Sequence, residues 1–195
     1  ARTKGEAERA VMAAVSTATI VRPSVVFGAE DQFFNKFATL LSMAPAFLPL
    51  PLLFGGGAAK FQPVYVDDVA DAICAALEKP EAKGRVYELG GPRTYTFRQI
   101  LEFVLAETGH HRILAPVPFA LAPAIGFAGE CFGALPFFSP PVTRDQIKLL
   151  KRDNIVSDGA ATLADLGISP RTVEAIVPGF LVRFRKYGQF SERLA

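Results

Sequence analysis

The sequence predicts an α/β fold whose second half is mainly helical. Short runs rich in β-branched and aromatic residues at 19–22, 62–66 and 86–89 predict buried strands. The stretches between them carry apolar residues at helical spacing, and glycine or proline ends each unit. Because strands alternate with helices, the first half is predicted to form α/β layers, to which the helical second half is attached.

Three helices are predicted in the first half. Residues 2–16 have apolar positions three and four apart, and residues 32–43 form the next helix. Asp67 predicts the N-cap of a helix over 68–77, because a carboxylate can accept a hydrogen bond from an unbonded amide at a helix start. The apolar face of that helix is predicted to be Val69, Ile73, Ala76 and Leu77. Since the first helical pattern opens without a cap or an initiator methionine, we expect the chain to begin partway through a longer protein.

Capping residues mark two helix starts in the second half. Thr96 and Gln99 fit a capping box, in which the two side chains reciprocally bind backbone amides, and this helix should end near Thr108. Thr143 and Gln146 repeat the pattern and predict a second helix.

Proline and glycine bound the last predicted helices. Ser169 followed by Pro170 predicts a capped start, since proline lacks only an amide hydrogen that the first turn leaves unbonded. Pro178 and Gly179 are predicted to break that segment before a closing basic helix. The basic helix carries Arg183, Arg185 and Lys186.

Composition excludes several function classes. The 195 residues include 21 basic and 19 acidic side chains, and a net charge of +2 is far from that of a nucleic-acid-binding protein. Cys74 and Cys131 are too few for a disulfide scaffold and lack metal-ligand spacing, so we place both in the core. Adjacent His110 and His111 point apart and have no acidic or cysteine partner at ligand spacing, so no metal site is predicted.

Two apolar tracts raise the question of a membrane span. The tract at 37–59 carries no charge, but prolines and a triple glycine would interrupt a helix and leave backbone groups unpaired in lipid. The tract at 113–142 is interrupted by six prolines. We predict no span. Short helices of the second tract are expected to pack in the lobe, with contact to a membrane surface as the open alternative.

The first six residues resemble the end of the Tyr-x-x-x-Lys motif of extended short-chain dehydrogenase/reductases. The resemblance makes Lys4 the family's catalytic lysine and places its tyrosine partner immediately before Ala1. In that family the two side chains share one helix face, and the lysine holds the nicotinamide ribose. Its charge lowers the pKa of the tyrosine, which acts as general acid or base. Without the tyrosine, the resemblance implies that this chain alone is catalytically inactive.

Three later segments resemble the same family in the same order. Residues 22–28 resemble its sixth strand and the loop that passes the nicotinamide, 63–70 a later strand-to-helix segment, and 86–92 the last strand of the sheet. The resemblance implies an NAD(P)-binding, Rossmann-like core. The cofactor-binding residues that it implies are Lys4, Arg22, Pro23, Ser24 and Val25.

The resemblance also implies a division of the chain. Residues 1–92 are expected to form the C-terminal part of the Rossmann-like core, with an inserted apolar helical segment at about 29–60. Residues 93–195 are expected to form a mainly helical lobe that binds a substrate or a partner.

The departures from the family pattern bear on the substrate. Sugar-nucleotide epimerases and dehydratases usually carry an asparagine for the substrate pyrophosphate where this chain has Val25. They also tend to have an arginine before the Val-x-Val-Asp-Asp segment, where this chain has Lys60, Phe61 and Gln62. An apolar side chain cannot donate a hydrogen bond to a phosphate oxygen, so the nucleotide-sugar interpretation loses its substrate contact. The glycine-rich turn that binds a dinucleotide pyrophosphate is also absent from the sequence.

One subgroup of the family accounts for most of the chain. Residues 20–38, 62–66, 116–141 and 143–146, together with the basic C-terminal region, resemble the nucleotide-binding accessory subunit of respiratory complex I and its bacterial relatives. That resemblance implies bound NADP(H) or NAD(H), complex I subunits as partners, and a role in assembly or stability. It also implies a peripheral location, at the cytoplasmic face of a bacterial inner membrane or the equivalent matrix side.

An active enzyme is the alternative function. It would be an NAD(P)-dependent oxidoreductase or epimerase/dehydratase acting on a small or lipid-like substrate. Phe34, Phe37 and Phe119 are predicted to form an apolar pocket for that substrate. Neither function requires nucleic acid or a metal ion.

Overall fold

The computed structural model describes residues 2–43, 52–121, 123, 124, 127, 150–186, 188 and 190. The helices are α1 (Arg2–Ala14), α2 (Phe34–Met43), α3 (Val66–Glu78), α4 (Phe97–Thr108) and α5 (Val173–Leu181). The strands are β1 (Ile20–Pro23), β2 (Val26–Phe27), β3 (Leu52–Phe54), β4 (Lys60–Phe61), β5 (Val64–Tyr65), β6 (Val86–Leu89), β7 (Tyr95–Thr96) and β8 (Ala115–Val117). This arrangement confirms the predicted α/β class.

Parallel pairing dominates the strands. β1 pairs with β6 in parallel, with Ile20 opposite Val86 and Pro23 opposite Leu89. β2 pairs with β5 and β3 with β8, also in parallel, whereas β4 and β7 are antiparallel. Because parallel neighbours need a crossover connection, α3 lies between the paired strands β1 and β6 in the chain order.

The segment at about 29–60 was expected to be helical, but the structure contains both a helix and strands there. It contains α2, but β3 follows at Leu52–Phe54 and a turn at Gly55–Gly57 leads into β4. All three glycines of the turn have positive φ, a conformation that other residues adopt only with strain. Across the described residues, no helix has the length and apolar character needed to cross a bilayer.

The start of α3 corrects a predicted cap. The helix begins at Val66, so Asp67 lies in its first turn, and Tyr65 stands at the cap position without a capping hydrogen bond from its side chain. The reason is that Tyr65 is still paired with β2, and the chain turns directly from strand to helix. Asp68 is buried, and its carboxylate accepts a hydrogen bond from the backbone amide of Arg171 at 2.7 Å.

The buried face of α3 agrees with the prediction only in part, since Ala76 is buried and Val69 packs against the same cluster. Ala72 and Ala76 are buried, whereas Ile73 and Leu77 are 46% and 82% exposed. The small alanine side chains allow α3 to lie close to Tyr87 and Leu89 of β6, in one apolar cluster. Cys74, predicted to be buried, is exposed on the same helix, and Cys131 lies outside the described residues.

A second and larger core joins α2, α4 and α5. Its centre is aromatic, with edge-to-face contacts between Phe27 and Phe34 and between Phe37 and Phe97. Leu101 of α4 and Val177 of α5 are fully buried in the same cluster. The aromatic core therefore fixes the helices of the second half against the loop that follows β2.

The predicted capping box of α4 is confirmed. The Oγ1 of Thr96 accepts a hydrogen bond from the amide of Gln99, and the Gln99 side chain accepts one from the amide of Thr96. The helix ends at Thr108, before Gly109 in the left-handed conformation. The second predicted box, at Thr143 and Gln146, lies outside the described residues.

The predicted start and break of the last helix are wrong. Thr172 caps α5 by accepting a hydrogen bond from the Ala175 amide, because the amide of Arg171 is already bound to α3. The helix continues through Pro178 and Gly179. Pro178 cannot donate a backbone hydrogen bond, and the burial of Val177 and Leu181 stabilises the helix despite this loss.

Where the predicted basic helix begins, the structure has a short 3-10 turn at Val182–Phe184, and residues 187, 189 and 191–195 lie outside the described residues. Arg183 donates to the Oδ1 of Asn35 at 2.8 Å, and Arg185 donates to the backbone oxygen of Glu107 at 2.7 Å. Two of the predicted basic side chains therefore dock on α2 and α4.

Candidate nucleotide-binding site

A polar cleft of about 180 Å³ lies at the carboxyl ends of β1 and β6. It is lined by Arg22, Pro23, Ser24, Glu88, Leu89, Asn154, Ile155, Val156 and Ser157. In open α/β sheets the carboxyl ends of the strands form the usual ligand-binding edge. The cleft therefore brings together three of the predicted site residues, Arg22, Pro23 and Ser24.

Residues 153–157, which we call the strap, form one wall of the cleft. The strap amide of Asn154 donates to the backbone oxygen of Lys60 at 2.8 Å, and the amide of Gln62 donates back to the Asn154 oxygen at 3.0 Å. The amide of Ser157 donates to Oε2 of Glu88 at 2.8 Å. The strap is thus bound to the core on both sides of the cleft.

Gln62 occupies the region where the related sugar-nucleotide enzymes have an arginine. Its Nε2 donates to the backbone oxygen of Gly91 at 2.8 Å, and its Oε1 accepts from the amide of Val156 at 3.0 Å. Both ends of the amide are therefore used to connect the strap with the turn after β6. The side chain is structural in this arrangement.

Ser24 follows β1 and faces the strap. Its hydroxyl donates to the backbone oxygen of Asn154 at 2.8 Å, and its side-chain oxygen lies 3.2 Å from Oδ1 of the same residue. Its amide donates to the Leu89 oxygen at 2.9 Å, which extends the pairing of β1 with β6. Ser24 therefore lies at the floor of the cleft with its hydroxyl directed to the strap.

Val25, the next predicted cofactor-binding residue, contributes no polar side chain. It packs against the aromatic core, and its backbone oxygen accepts a hydrogen bond from the amide of Val64 at 2.9 Å. At this position an asparagine would require a polar group to be directed into the apolar cluster. The structure therefore places no phosphate-binding side chain at Val25.

Arg22 is bound by two carboxylates. Its Nε and Nη2 contact Oε2 of Glu8 at 3.1 and 2.6 Å, and its Nη1 contacts Oε1 of Glu88 at 3.3 Å. Hydrogen bonding to Arg22 lowers the pKa of Glu8, and the Ser157 amide followed by Arg22 lowers that of Glu88. The guanidinium charge is thus matched within the protein.

Lys4 lies in the first turns of α1 and is exposed. It precedes Glu8 by four residues, so the two side chains share one face of the helix. Since Glu8 contacts Arg22 at the end of β1, this face of α1 is directed to the side of the sheet that holds the cleft. Within the described parts of the chain, no carboxylate forms an ion pair with the Lys4 ammonium.

The predicted apolar pocket is not formed. Phe34 is fully buried among other aromatic rings, and Phe37 packs on Phe33 and Phe97 in the same cluster. Phe119 belongs to a separate cluster, where it stacks on Phe54. The three side chains line no common cavity because two of them are core residues of the lobe.

Three residues of the site were missed in the sequence. Glu8 could have been found from its spacing to Lys4, and Glu88 from its place as a charge within a short apolar strand. Asn154 had no local signal, because it reaches the cleft from a segment 130 residues after Ser24. Where the chain is described, no cluster of three or more His, Cys, Asp or Glu side chains could hold a metal ion. The ring of His110 lies 3.0 Å from the backbone oxygen of Thr108.

Comparison with known proteins shows which proteins the chain is similar to. Residues 1–90 match the family described as "NAD dependent epimerase/dehydratase family". A double mutant of DesIV, a dTDP-glucose 4,6-dehydratase from Streptomyces venezuelae with NAD and DAU bound, has a similar fold. Its TM-score is 0.56 at 18% identity, covering 96% of this chain and 50% of that one. At this identity the likeness shows the fold alone, and it confirms the Rossmann-like prediction.

Curated relatives extend the similarity over nearly the whole chain. The mitochondrial "NADH dehydrogenase (ubiquinone) 1 alpha subcomplex subunit 9" of Arabidopsis thaliana is 37% identical over 192 residues, which are 96% of this chain and 47% of the relative. The mouse protein of the same name is 32% identical over 193 residues, 99% of this chain and 49% of the relative. The chain therefore spans about half the length of the curated relatives it matches. The resemblance drawn from the sequence is confirmed: this chain is a relative of these complex I subunits, and its first 90 residues carry the pattern of the NAD dependent epimerase/dehydratase family.

Proposed function

We propose that the protein is an NAD(P)(H)-binding accessory or assembly subunit of respiratory complex I. The observation that carries the proposal is the polar cleft at the carboxyl ends of β1 and β6, with the helix that bears Lys4 held beside it. This edge is where Rossmann-like sheets bind nucleotides. The names of the relatives supply the complex I part of the proposal.

The donor set fits the nicotinamide side of a dinucleotide. Lys4 offers an ammonium group, and Ser24 a hydroxyl that can reorient from the strap to a ligand. Both groups can form hydrogen bonds with ribose hydroxyls and with the carboxamide of nicotinamide. A pyrophosphate requires unpaired cations or a glycine-rich helix start, whereas the Arg22 charge is already matched by Glu8 and Glu88.

The proposed roles of the remaining residues follow from their positions. Lys4 and Ser24 bind and orient the ribose and nicotinamide, and Arg22, Pro23 and Val25 shape the strand end beside them. When bound, the nicotinamide supplies a hydride donor or acceptor. The core-facing side chain of Val25 and the structural use of Gln62 favour retention of a nucleotide over processing of a nucleotide sugar.

A nucleotide titration tests the site. We expect Lys4→Ala combined with Ser24→Phe to weaken NADPH binding by the protein expressed from its natural coding sequence at least about tenfold, because a charge-assisted contact is lost and the cleft is filled. Lys83→Ala removes another exposed lysine and is the matched control. Unchanged affinity in the double variant would refute the site assignment.

An assembly assay tests the partner. Deletion of the gene should lower the amount of fully assembled complex I on native gels, and the wild-type gene should restore it. The purified protein should retain NADPH unoxidised. Steady oxidation of NADPH with a small or lipid-like substrate, together with normal complex I in the deletion strain, would instead establish the oxidoreductase alternative. We place the protein peripherally, at the cytoplasmic face of a bacterial inner membrane or the equivalent matrix side.

A further inference from the structure

Lys4 and Glu8 lie on the same face of α1. They lie four residues apart on α1, the spacing at which lysine and glutamate side chains meet on a helix surface. In the structure Glu8 points instead to Arg22, with contacts from both Nε and Nη2. The Glu8 carboxylate is therefore directed to Arg22 and not to Lys4.

Arg22 is well placed to hold Glu8 in this orientation. It lies on β1, directly opposite Glu88 in the parallel register, and its third contact is to that side chain at 3.3 Å. Glu88 is in turn fixed by the Ser157 amide of the strap. Because Glu88, the second partner of the guanidinium, lies on β6 and is itself held by the strap, the contact with Glu8 is made from a fixed position.

We propose that Arg22 is a positioning residue that sequesters the Glu8 carboxylate and so leaves the Lys4 ammonium available to the ribose of a nicotinamide nucleotide. The inference rests on the proposed nucleotide-binding function and gives Arg22 an indirect role in it. Arg22 then acts through Glu8 and need not touch the nucleotide. When Arg22 is removed, Glu8 turns to Lys4 and competes with the ribose hydroxyls.

The sequestering role and a direct contact with the nucleotide predict different NADPH affinities for the Arg22→Met/Glu8→Gln double variant. If Arg22 sequesters Glu8, Arg22→Met weakens NADPH binding about two- to fivefold, the range that an exposed ion pair spans. Adding Glu8→Gln then restores affinity to within about twofold of wild type, because the competing charge is gone. If Arg22 binds the nucleotide directly, Arg22→Met costs about tenfold or more and Glu8→Gln restores nothing.

The experiment is a fluorescence titration of NADPH into the protein expressed from its natural coding sequence. The variants are wild type, Lys4→Ala, Arg22→Met, Glu8→Gln and the Arg22→Met/Glu8→Gln double variant. Thermal unfolding of each variant identifies any that fail to fold. Arg22→Lys, which keeps a cation beside Glu8, replaces Arg22→Met in that event and should stay within about twofold of wild type.

A remote ion pair is the matched control. Arg93, in the loop before β7, pairs with Glu174 of α5 at 2.8 Å, and both residues lie outside those that line the cleft. Arg93→Met and Arg93→Met/Glu174→Gln should leave NADPH affinity unchanged. If they reproduce the loss and the rescue, the effect belongs to general stability and the proposal is overturned.

The two hypotheses fail in different ways. If wild type binds no NADPH, or Lys4→Ala leaves affinity unchanged, the proposed function fails and the inference fails with it. If Lys4→Ala weakens binding but the double variant remains as weak as Arg22→Met, only the sequestering role is refuted. In the Lys4→Ala background, Arg22→Met should have no further effect on affinity.

Discussion

The two faces of the β1–β6 ladder hold their helices by different means. Alternate side chains of a strand point to opposite faces. On one face, Arg22 of β1 forms ion pairs with Glu8 of α1 and with Glu88 of β6. On the other, Tyr87 and Leu89 are buried against the alanines of α3. We call these the clamp face and the packed face.

The two faces are expected to contribute differently to nucleotide binding and to stability. Exposed ion pairs contribute little to folding, whereas buried apolar contacts contribute most of it. The clamp face carries the residues proposed to act on the nucleotide, and the packed face holds the domain together. Substitutions on the packed face should therefore lower the free energy of unfolding, whereas substitutions on the clamp face should mainly change NADPH affinity.

The largest effect is expected on the packed face. Leu89 is fully buried in the cluster with Ala72 and Leu163, so Leu89→Ala should lower the free energy of unfolding by about 2–5 kcal/mol. Leu77, on the outer side of α3, is 82% exposed, and Leu77→Ala should stay within about 0.5 kcal/mol of wild type. Urea unfolding measures both. Equal losses in the two variants would contradict the assignment of the buried face.

A smaller effect is expected at the buried hydrogen bond between Asp68 of α3 and the Arg171 amide. Asp68 is buried and binds the Arg171 amide at 2.7 Å, so Asp68→Ala should cost about 1–3 kcal/mol by leaving that donor without its partner. Asp71, whose side chain is 58% exposed, lies 3.8 Å from Arg171, and Asp71→Ala is the matched control with a loss below about 1 kcal/mol. A loss at Asp71 as large as at Asp68 would show that charge, and not the buried hydrogen bond, fixes α3.

The packed face could be predicted only in part from the sequence. The strand at Val86–Leu89 and the capping box at Thr96 were found because each has a local pattern. On α3, Val69 and Ala76 were placed correctly, whereas Ile73 and Leu77 were not, because apolar spacing alone made these larger side chains equivalent to the alanines. Close approach of a helix to a sheet selects small side chains, and a single sequence does not show where that approach occurs.

The clamp face was predicted by resemblance and completed only by the structure. Lys4, Arg22 and Ser24 came from family motifs. Their partners did not, since Glu8 was not singled out and Asn154 arrives from a distant loop. Contacts between residues far apart in the chain depend on tertiary packing. The sequence pattern near each residue therefore carried no information about its partner.

The clamp face should tolerate loss of its ion pair with little change in stability. Arg22 is 47% exposed, so Arg22→Met is expected to lower the free energy of unfolding by about 0–1 kcal/mol. Raising the salt concentration to about 0.5 M should remove most of that difference, because screening weakens exposed pairs in the wild type. Urea unfolding at low and high salt measures it. A loss of several kcal/mol would mean that the clamp, like the packed face, is part of the folding core.

The smallest and most specific effect is a pH dependence confined to the clamp face. The Ser157 amide and Arg22 lower the pKa of Glu88 below its usual 4.5, so its carboxylate binds protons more readily in the unfolded chain. Its stabilisation is therefore present above about pH 4.5 and is lost as the pH falls through the lower, folded-state pKa. Glu88→Gln should be less stable than wild type at pH 7, and this deficit should shrink as the pH is lowered from 4.5 to 3, whereas the Leu89→Ala deficit should persist at pH 7 and pH 3. Urea unfolding at the two pH values measures the gap, and Glu81→Gln, at an exposed site, is the control. A Glu88→Gln gap that does not change with pH would mean that shape, and not ionisation, accounts for the contribution of this residue.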